Sequence, residues 1–144
     1  MRLSKYKMTK NLPRGLRNNN PLNIRRTSDQ WRGLATTQSD PVFCQFTAPE
    51  WGVRAAIVIL RNYQRMYHLH TLTEILHRYA PTNENHTERY IERVSARAKV
   101  QKNVPLDLAN RDLVYRLIEA MWLVECGVPG DPTAINKGLD LAGL

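Results

Sequence analysis

Between residues 47 and 127 apolar side chains return every three or four positions in four separate stretches, and this spacing constrains the fold more than any other feature. Only an α-helix gathers such positions on one face, so each stretch is expected to be an amphipathic helix turned towards a common core. In the first, Thr47-Ala48-Pro49-Glu50 has the pattern of a capping box with Thr47 as the cap. Val53, Ile57, Leu60, Tyr63 or Gln64, and Tyr67 follow at helical spacing. Thr71-Leu72-Thr73-Glu74 repeats the box ahead of a short helix that buries Ile75, Leu76 and Tyr79 and ends at Pro81. Asn85, with Glu88 in the reciprocal position, is expected to cap a third helix whose stripe is Tyr90, Ile91 and Val94. The fourth runs from about Asp107 to Glu125 on Leu113, Val114, Leu117, Ile118, Met121 and Trp122, with Gly127 as its stop.

The remainder is less regular. Residues 13–30 are dense in Pro, Gly and Asn, which is turn chemistry, because Asn side chains bond nearby backbone and tolerate left-handed conformations. Residues 31–47 read as short extended pieces, Trp31–Leu34 and then Val42–Phe46, with Val42, Cys44 and Phe46 on one face. Residues 129–144 read as a Gly/Pro-broken tail with one further helical turn. The expected class is α+β and mostly helical, with a small β-lobe near the amino end. The expected organisation is a basic arm over 1–12, a domain over 13–128 and a tail over 129–144. A chain of 144 residues can bury a core without disulfide staples. Cys44 and Cys126 stand among apolar neighbours and are expected to be free buried thiols. No apolar run reaches the length of a membrane-spanning helix, and no apolar core follows the basic start, so neither a span nor an export signal is expected.

The net charge of +8 is unevenly placed. Arg2, Lys5, Lys7, Lys10, Arg14, Arg17, Arg25 and Arg26 precede Asp29 with no acid among them, and beyond that point bases and acids balance. Such an arm is suited to polyanions: nucleic acid, anionic lipid or acidic cell-wall polymer.

Most catalytic schemes find no footing. The chain has no G-x-S-x-G elbow, no Gly-rich phosphate loop and no C-x-x-C. His68 and His70 lie two apart and face different ways on a helix, so no metal site is expected, and no cofactor either. Cys44 is the one plausible thiol nucleophile, but nothing ties it to His68, His70, His77 or His86. No helix-turn-helix or zinc finger is present. Carboxylates remain. Glu50, Glu74 and Glu88 are accounted for as capping partners, and Glu92, Asp112 and Glu119 as solvated helix faces. Asp40, ahead of Pro41, and Glu84, in the amide- and hydroxyl-rich segment Ala80–Thr87, are not. Such groups suit a sugar, and Tyr79 and Tyr90 nearby would desolvate Glu84 and raise its pKa towards that of an acid catalyst.

The segment Arg14-Gly15-Leu16-Arg17-Asn18-Asn19-Asn20-Pro21-Leu22-Asn23-Ile24-Arg25 resembles the signature of a phage and prophage family of virion-associated, lytic-transglycosylase-like proteins, often described only as phage structural proteins. Further elements match in order: Trp31-Arg32-Gly33, Asp40 with Phe43 and Phe46, Trp51-Gly52-Val53-Arg54-Ala55, and Tyr79-Ala80-Pro81 with Glu84-Asn85-His86-Thr87 and Tyr90. The match spans roughly residues 13–100, and a more distant similarity extends to bacterial glucosaminidases. The resemblance implies a lysozyme-like fold, with two lobes flanking a cleft for a peptidoglycan strand. It implies a protein of the virion or host cytoplasm that acts on the periplasmic cell wall. In that setting Asn19, Asn20, Asn23, Asn85 and Thr87 are candidate sugar ligands, and Trp31 and Tyr90 candidate stacking platforms. Lysozyme-like enzymes end a helix with the acid just before the β-lobe, yet no Asp or Glu precedes Asn18 here. Glu84 is therefore the first candidate acid and Asp40 the second, for a hydrolase or a transglycosylase. The competing expectation is a non-catalytic virion protein that binds glycan or nucleic acid.

Overall fold

In a computed structural model, residues 12–144 are described, with the side chain of Glu84 left out. The basic arm read over 1–12 therefore lies, apart from Leu12, outside the described residues. Six helices are formed among them: α1 (Arg14–Arg17), α2 (Pro49–Tyr67), α3 (Leu72–Tyr79), α4 (Glu84–Ala98), α5 (Arg111–Cys126) and α6 (Pro132–Leu141).

The four periodic stretches are helices, but their caps differ in instructive ways. The box at α3 forms in full: Thr71 Oγ1 accepts from the Glu74 amide at 3.2 Å, and Glu74 Oε1 accepts from the Thr71 amide at 3.1 Å. At α2 it does not. Ala48 is the cap residue, without a side-chain bond, because the Thr47 hydroxyl donates instead to the Gly33 carbonyl at 3.2 Å. α4 starts earlier than its expected cap at Asn85. Asn83 Oδ1 accepts from the His86 amide at 2.9 Å, and Glu88 pairs with the His77 ring rather than reaching back. α5 starts at Arg111, one turn later than the expected start near Asp107, with Asn110 as its cap, and closes on Gly127 in the left-handed region at φ 72°.

The carboxy-terminal tail is a full helix rather than a single turn. Asp131 caps α6, Pro132 opens it, and Ala134, Ile135 and Leu139 are buried. α6 packs along α2, so residues 129–144 belong to the same core as the rest. That core takes Leu22, Ile24, Cys44 and Phe46 from the amino-terminal loops, Ile57 and Leu60 from α2, Ile75 and Leu76 from α3, Ile91 and Val94 from α4, and Leu117, Ile118 and Met121 from α5. Each large aliphatic side chain so buried contributes roughly 1.5–3 kcal/mol. Cys44 and Cys126 are free and buried.

The extended region is slighter than the alternation of Val42, Cys44 and Phe46 suggests. Arg25 bridges Phe43 and Leu34 bridges Phe46, both antiparallel, and no longer ladder forms there among the described residues. Turn residues interrupt pairing before a second rung can form, and side-chain amides take over the backbone bonds instead. The loops also interlock with α2. Gly33, at φ +82°, lies against Trp51, where a Cβ would stand 2.1 Å from Cγ. Gly52 passes beneath Asn19, whose carbonyl oxygen would be 2.8 Å from a Cβ. Both positions therefore require glycine. No helix among the described residues is long and apolar enough to cross a membrane.

Candidate functional site

The asparagine run is mostly internal scaffolding. Asn20 is fully buried; its amide donates to the Ile24 and Cys44 carbonyls, both at 2.9 Å, and its Oδ1 accepts from the Ile24 amide at 2.9 Å. Asn19 is left-handed (φ 53°) and donates to the Phe46 carbonyl. The amide of Asn20 is thereby spent on backbone, and Asn19, half-buried, does not line the cavity described below. Asn23, also left-handed (φ 52°), is different: it donates to a carboxylate on another element.

Asp40 is held as an anion. Arg14 donates to both of its oxygens at 2.6 Å, Asn18 adds a bond at 3.0 Å, and the Val42 and Phe43 amides donate to Oδ1 at 2.9 Å. The Arg14 guanidinium, aided by the Phe43, Asn18 and Val42 donors, holds the carboxyl far below the usual carboxylate range, against a smaller opposing effect of burial. A group in this state has no proton to give, so the acid role expected for Asp40 does not fit its geometry. It organises the turn instead, and Phe43 packs under the Arg14 guanidinium at 4.7 Å.

Among the described residues, the carboxyl that burial pushes towards its protonated form is Glu125, in the last turn of α5. Asn23 Nδ2 donates to its Oε1 at 2.8 Å, and the Tyr90 hydroxyl donates to its Oε2 at 2.8 Å. Burial raises its pKa, opposed by the bonds from Asn23 and Tyr90 and by the charge of Arg25. The helix terminus acts in the same direction as burial, since a carboxylate at the carboxyl end faces the negative pole of the helix and no basic residue occupies that last turn. Tyr79 and Tyr90 stand close to Glu125, whose charge raises both phenols further above their ordinary range after burial. The next residue, Cys126, has its thiol pushed up to about 12 by burial and by Glu125, which leaves it inert.

Glu125 opens onto a cavity of about 730 Å³. Asn23, Arg25 and Trp31 line it from the amino-terminal loops, Tyr63, Met66 and Tyr67 from α2, and Arg78 and Tyr79 from α3, continuing into Ala80–Thr82. Tyr79 ties the two sides by donating to the Leu22 carbonyl at 2.6 Å. Of the residues read as sugar ligands, Asn23 and Trp31 are at this wall. Tyr90 is buried and serves Glu125 rather than offering a ring face. Thr87 is 2% exposed and spends its hydroxyl on the Ala80 carbonyl at 2.8 Å. Asn85 is exposed in the first turn of α4, away from the lining. Glu84 is the first residue of α4, and its side chain lies outside the described ones. Among the described residues no three His, Cys, Asp or Glu gather around a possible metal position.

Sequence reasoning passed over Glu125 because it read as the tail of a helix. The local signal was present: an acid between Val124 and Cys126, at a helix end without a base to offset the dipole. What no local pattern shows is that Asn23 and Tyr90, 102 and 35 residues away, close on it.

No protein-family model matches the chain. A relative does: Protein P5 of Pseudoalteromonas phage PM2 is 40% identical over 131 residues, covering 88% of this chain and 80% of the phage protein.

Proposed function

The chain belongs to the family of Protein P5 of Pseudoalteromonas phage PM2, and on that premise we propose that it cleaves the β-1,4 glycan backbone of peptidoglycan with Glu125 as general acid. One observation carries the reading: a desolvated carboxyl, hydrogen-bonded by Asn23 and Tyr90, stands at the wall of a cavity lined with aromatic rings. The motif resemblance of residues 13–100 supports it.

Cleavage needs a proton on the leaving oxygen as the glycosidic bond breaks. Burial keeps Glu125 protonated at higher pH than an ordinary glutamate, so it has the proton to deliver. Once the proton has gone, the bonds from Asn23 and Tyr90 stabilise the carboxylate that remains. Glu125 then takes a proton back from the attacking hydroxyl. Among the described residues the other carboxylate at the cavity, Asp29, is exposed and accepts a bond from the Thr27 hydroxyl at 3.0 Å. One desolvated acid favours the transglycosylase route, in which the C6 hydroxyl of the muramoyl residue attacks within the same strand and the same carboxyl serves as acid and base. Trp31, Tyr63 and Tyr67 give the cavity aromatic walls against which sugars would pack.

The test is incubation of the purified protein with murein sacculi and mass spectrometry of the soluble products. Anhydro-muropeptides are expected, absent with Glu125→Gln. New reducing ends in their place would replace the transglycosylase route by hydrolysis. Release that persists in Glu125→Gln but is lost in Glu84→Gln would return the acid role to Glu84. Sacculus binding without release of any fragment would leave a non-catalytic wall-binding protein.

A further inference from the structure

We propose that Arg25 and Arg78 form a carboxylate-binding subsite in the Glu125 cleft, so that the cleft recognises an acidic glycan rather than a neutral chain of N-acetylglucosamine. The inference rests on reading the cavity as a glycan cleft. The shared ligand chemistry is a carboxylate carried beside a sugar ring, either the lactyl group of muramic acid or a carboxyl of its stem peptide.

Both arginines line the cavity. Neither forms an ion pair among the described residues, whereas Arg14, Arg97, Arg111 and Arg116 each face an acid. Asp29 lines the same space and is bonded to Thr27, not to either guanidinium. Both are held on aromatic rings. Arg78 lies 3.7 Å from the ring centre of Tyr67 and 5.3 Å from that of Tyr63. Arg25 lies 5.5 Å from the ring centre of Phe43. A guanidinium seated over a ring can still turn N–H groups to an acceptor, even with Arg78 also beside the Tyr63 hydroxyl. A fork fixed in this way loses little freedom when it takes a carboxylate through two bonds. The rings that hold the guanidiniums belong to the surface on which sugars would stack, so a ligand with a carboxylate next to a pyranose satisfies both features together. A neutral chitin oligomer satisfies only one.

Binding measured on the Glu125→Gln protein separates this inference from the cleavage reading, because no turnover is needed. Three probes are compared by calorimetry at low salt: soluble glycan strands with their stem peptides, the same strands stripped by an amidase so that only lactyl carboxylates remain, and chitohexaose. Chitohexaose is expected to bind about tenfold or more weakly than the best acidic probe, the scale of one charge-assisted contact. Further replacing Arg78 or Arg25 by Gln is expected to weaken acidic probes about tenfold and leave chitohexaose unchanged, with Arg78→Lys recovering part of the loss. Stripped strands that bind as well as peptide-bearing ones identify the lactyl group, and peptide-bearing strands that alone bind tightly identify the stem peptide. Equal binding of all three probes, no binding of any, or an equal loss on all three in the arginine variants overturns the subsite. If the discrimination appears but the wild-type protein cuts no strand, the cleavage reading fails and the subsite stands. Cutting without discrimination gives the reverse.

Discussion

The phenolic oxygen of Tyr90 lies 2.8 Å from Oε2 of Glu125, and it joins the middle of α4 to the last turn of α5 at a carboxyl that burial pushes towards protonation. A phenol in this position favours the charged form that follows proton transfer, while burial favours the neutral form that precedes it. The balance of the two sets the working pH of the group.

Tyr90→Phe removes the donor and keeps the ring in the core. The pKa of Glu125 rises further, so the alkaline limb of the kcat/KM profile on murein moves to higher pH. kcat falls roughly tenfold as the carboxylate loses a stabilising partner. An unmoved limb in the rate profile would place Tyr90 in packing alone.

Glu125→Gln removes an acid whose folded pKa is raised. Between the ordinary glutamate pKa and that raised value the folded state binds more protons than the unfolded one, so wild-type stability falls as pH rises through this window. The variant is therefore expected to melt higher than wild type at neutral pH, with the gain vanishing below the ordinary glutamate range. Calorimetric Tm at pH 4 and pH 7.5 tests the sign, and a variant less stable at neutral pH overturns it.

Asp40→Asn tests the opposite case. The folded pKa of Asp40 is depressed, so its contribution is present above the ordinary aspartate range and is lost only as pH falls through the much lower folded value. The variant should unfold at lower denaturant at pH 7, with the gap to wild type narrowing only in strong acid. Sacculus cleavage at low temperature, where the variant is still folded, should continue, since Asp40 holds a turn rather than a proton. Complete loss of cleavage by the folded variant would restore it to the chemistry.

Leu139→Ala measures how far α6 belongs to the domain. Leu139 is fully buried, and a cavity of this kind costs roughly 2–5 kcal/mol. Urea unfolding should show one cooperative transition at a lower midpoint. A detached tail would instead give no shift.

Gly33→Ala places a methyl group within the Trp51 ring at a positive φ, so Trp51 must move. Trp51 fluorescence is expected to change together with a lowered Tm, because the loop that carries Trp31 to the cavity is seated on that ring.

The sequence by itself determined the helices: the stripes through Val53, Ile57 and Leu60, through Ile75 and Leu76, and through Leu117, Ile118 and Met121 all face the core, because helical spacing is a property of neighbours within two turns. The caps at Thr71 and Gly127 are equally local. A cap departs from its local pattern where a distant group competes, as Gly33 does for Thr47, and α6 runs for ten residues where the Gly/Pro-broken tail suggests a single turn, its start marked by Asp131-Pro132. Only the tertiary structure decided the site. It gave Asp40 to Arg14, spent Asn20 and Thr87 on backbone carbonyls, and brought Asn23 and Tyr90 to Glu125. A carboxyl's protonation depends on the water it loses and the donors it meets, and both are supplied by parts of the chain that are far apart in order.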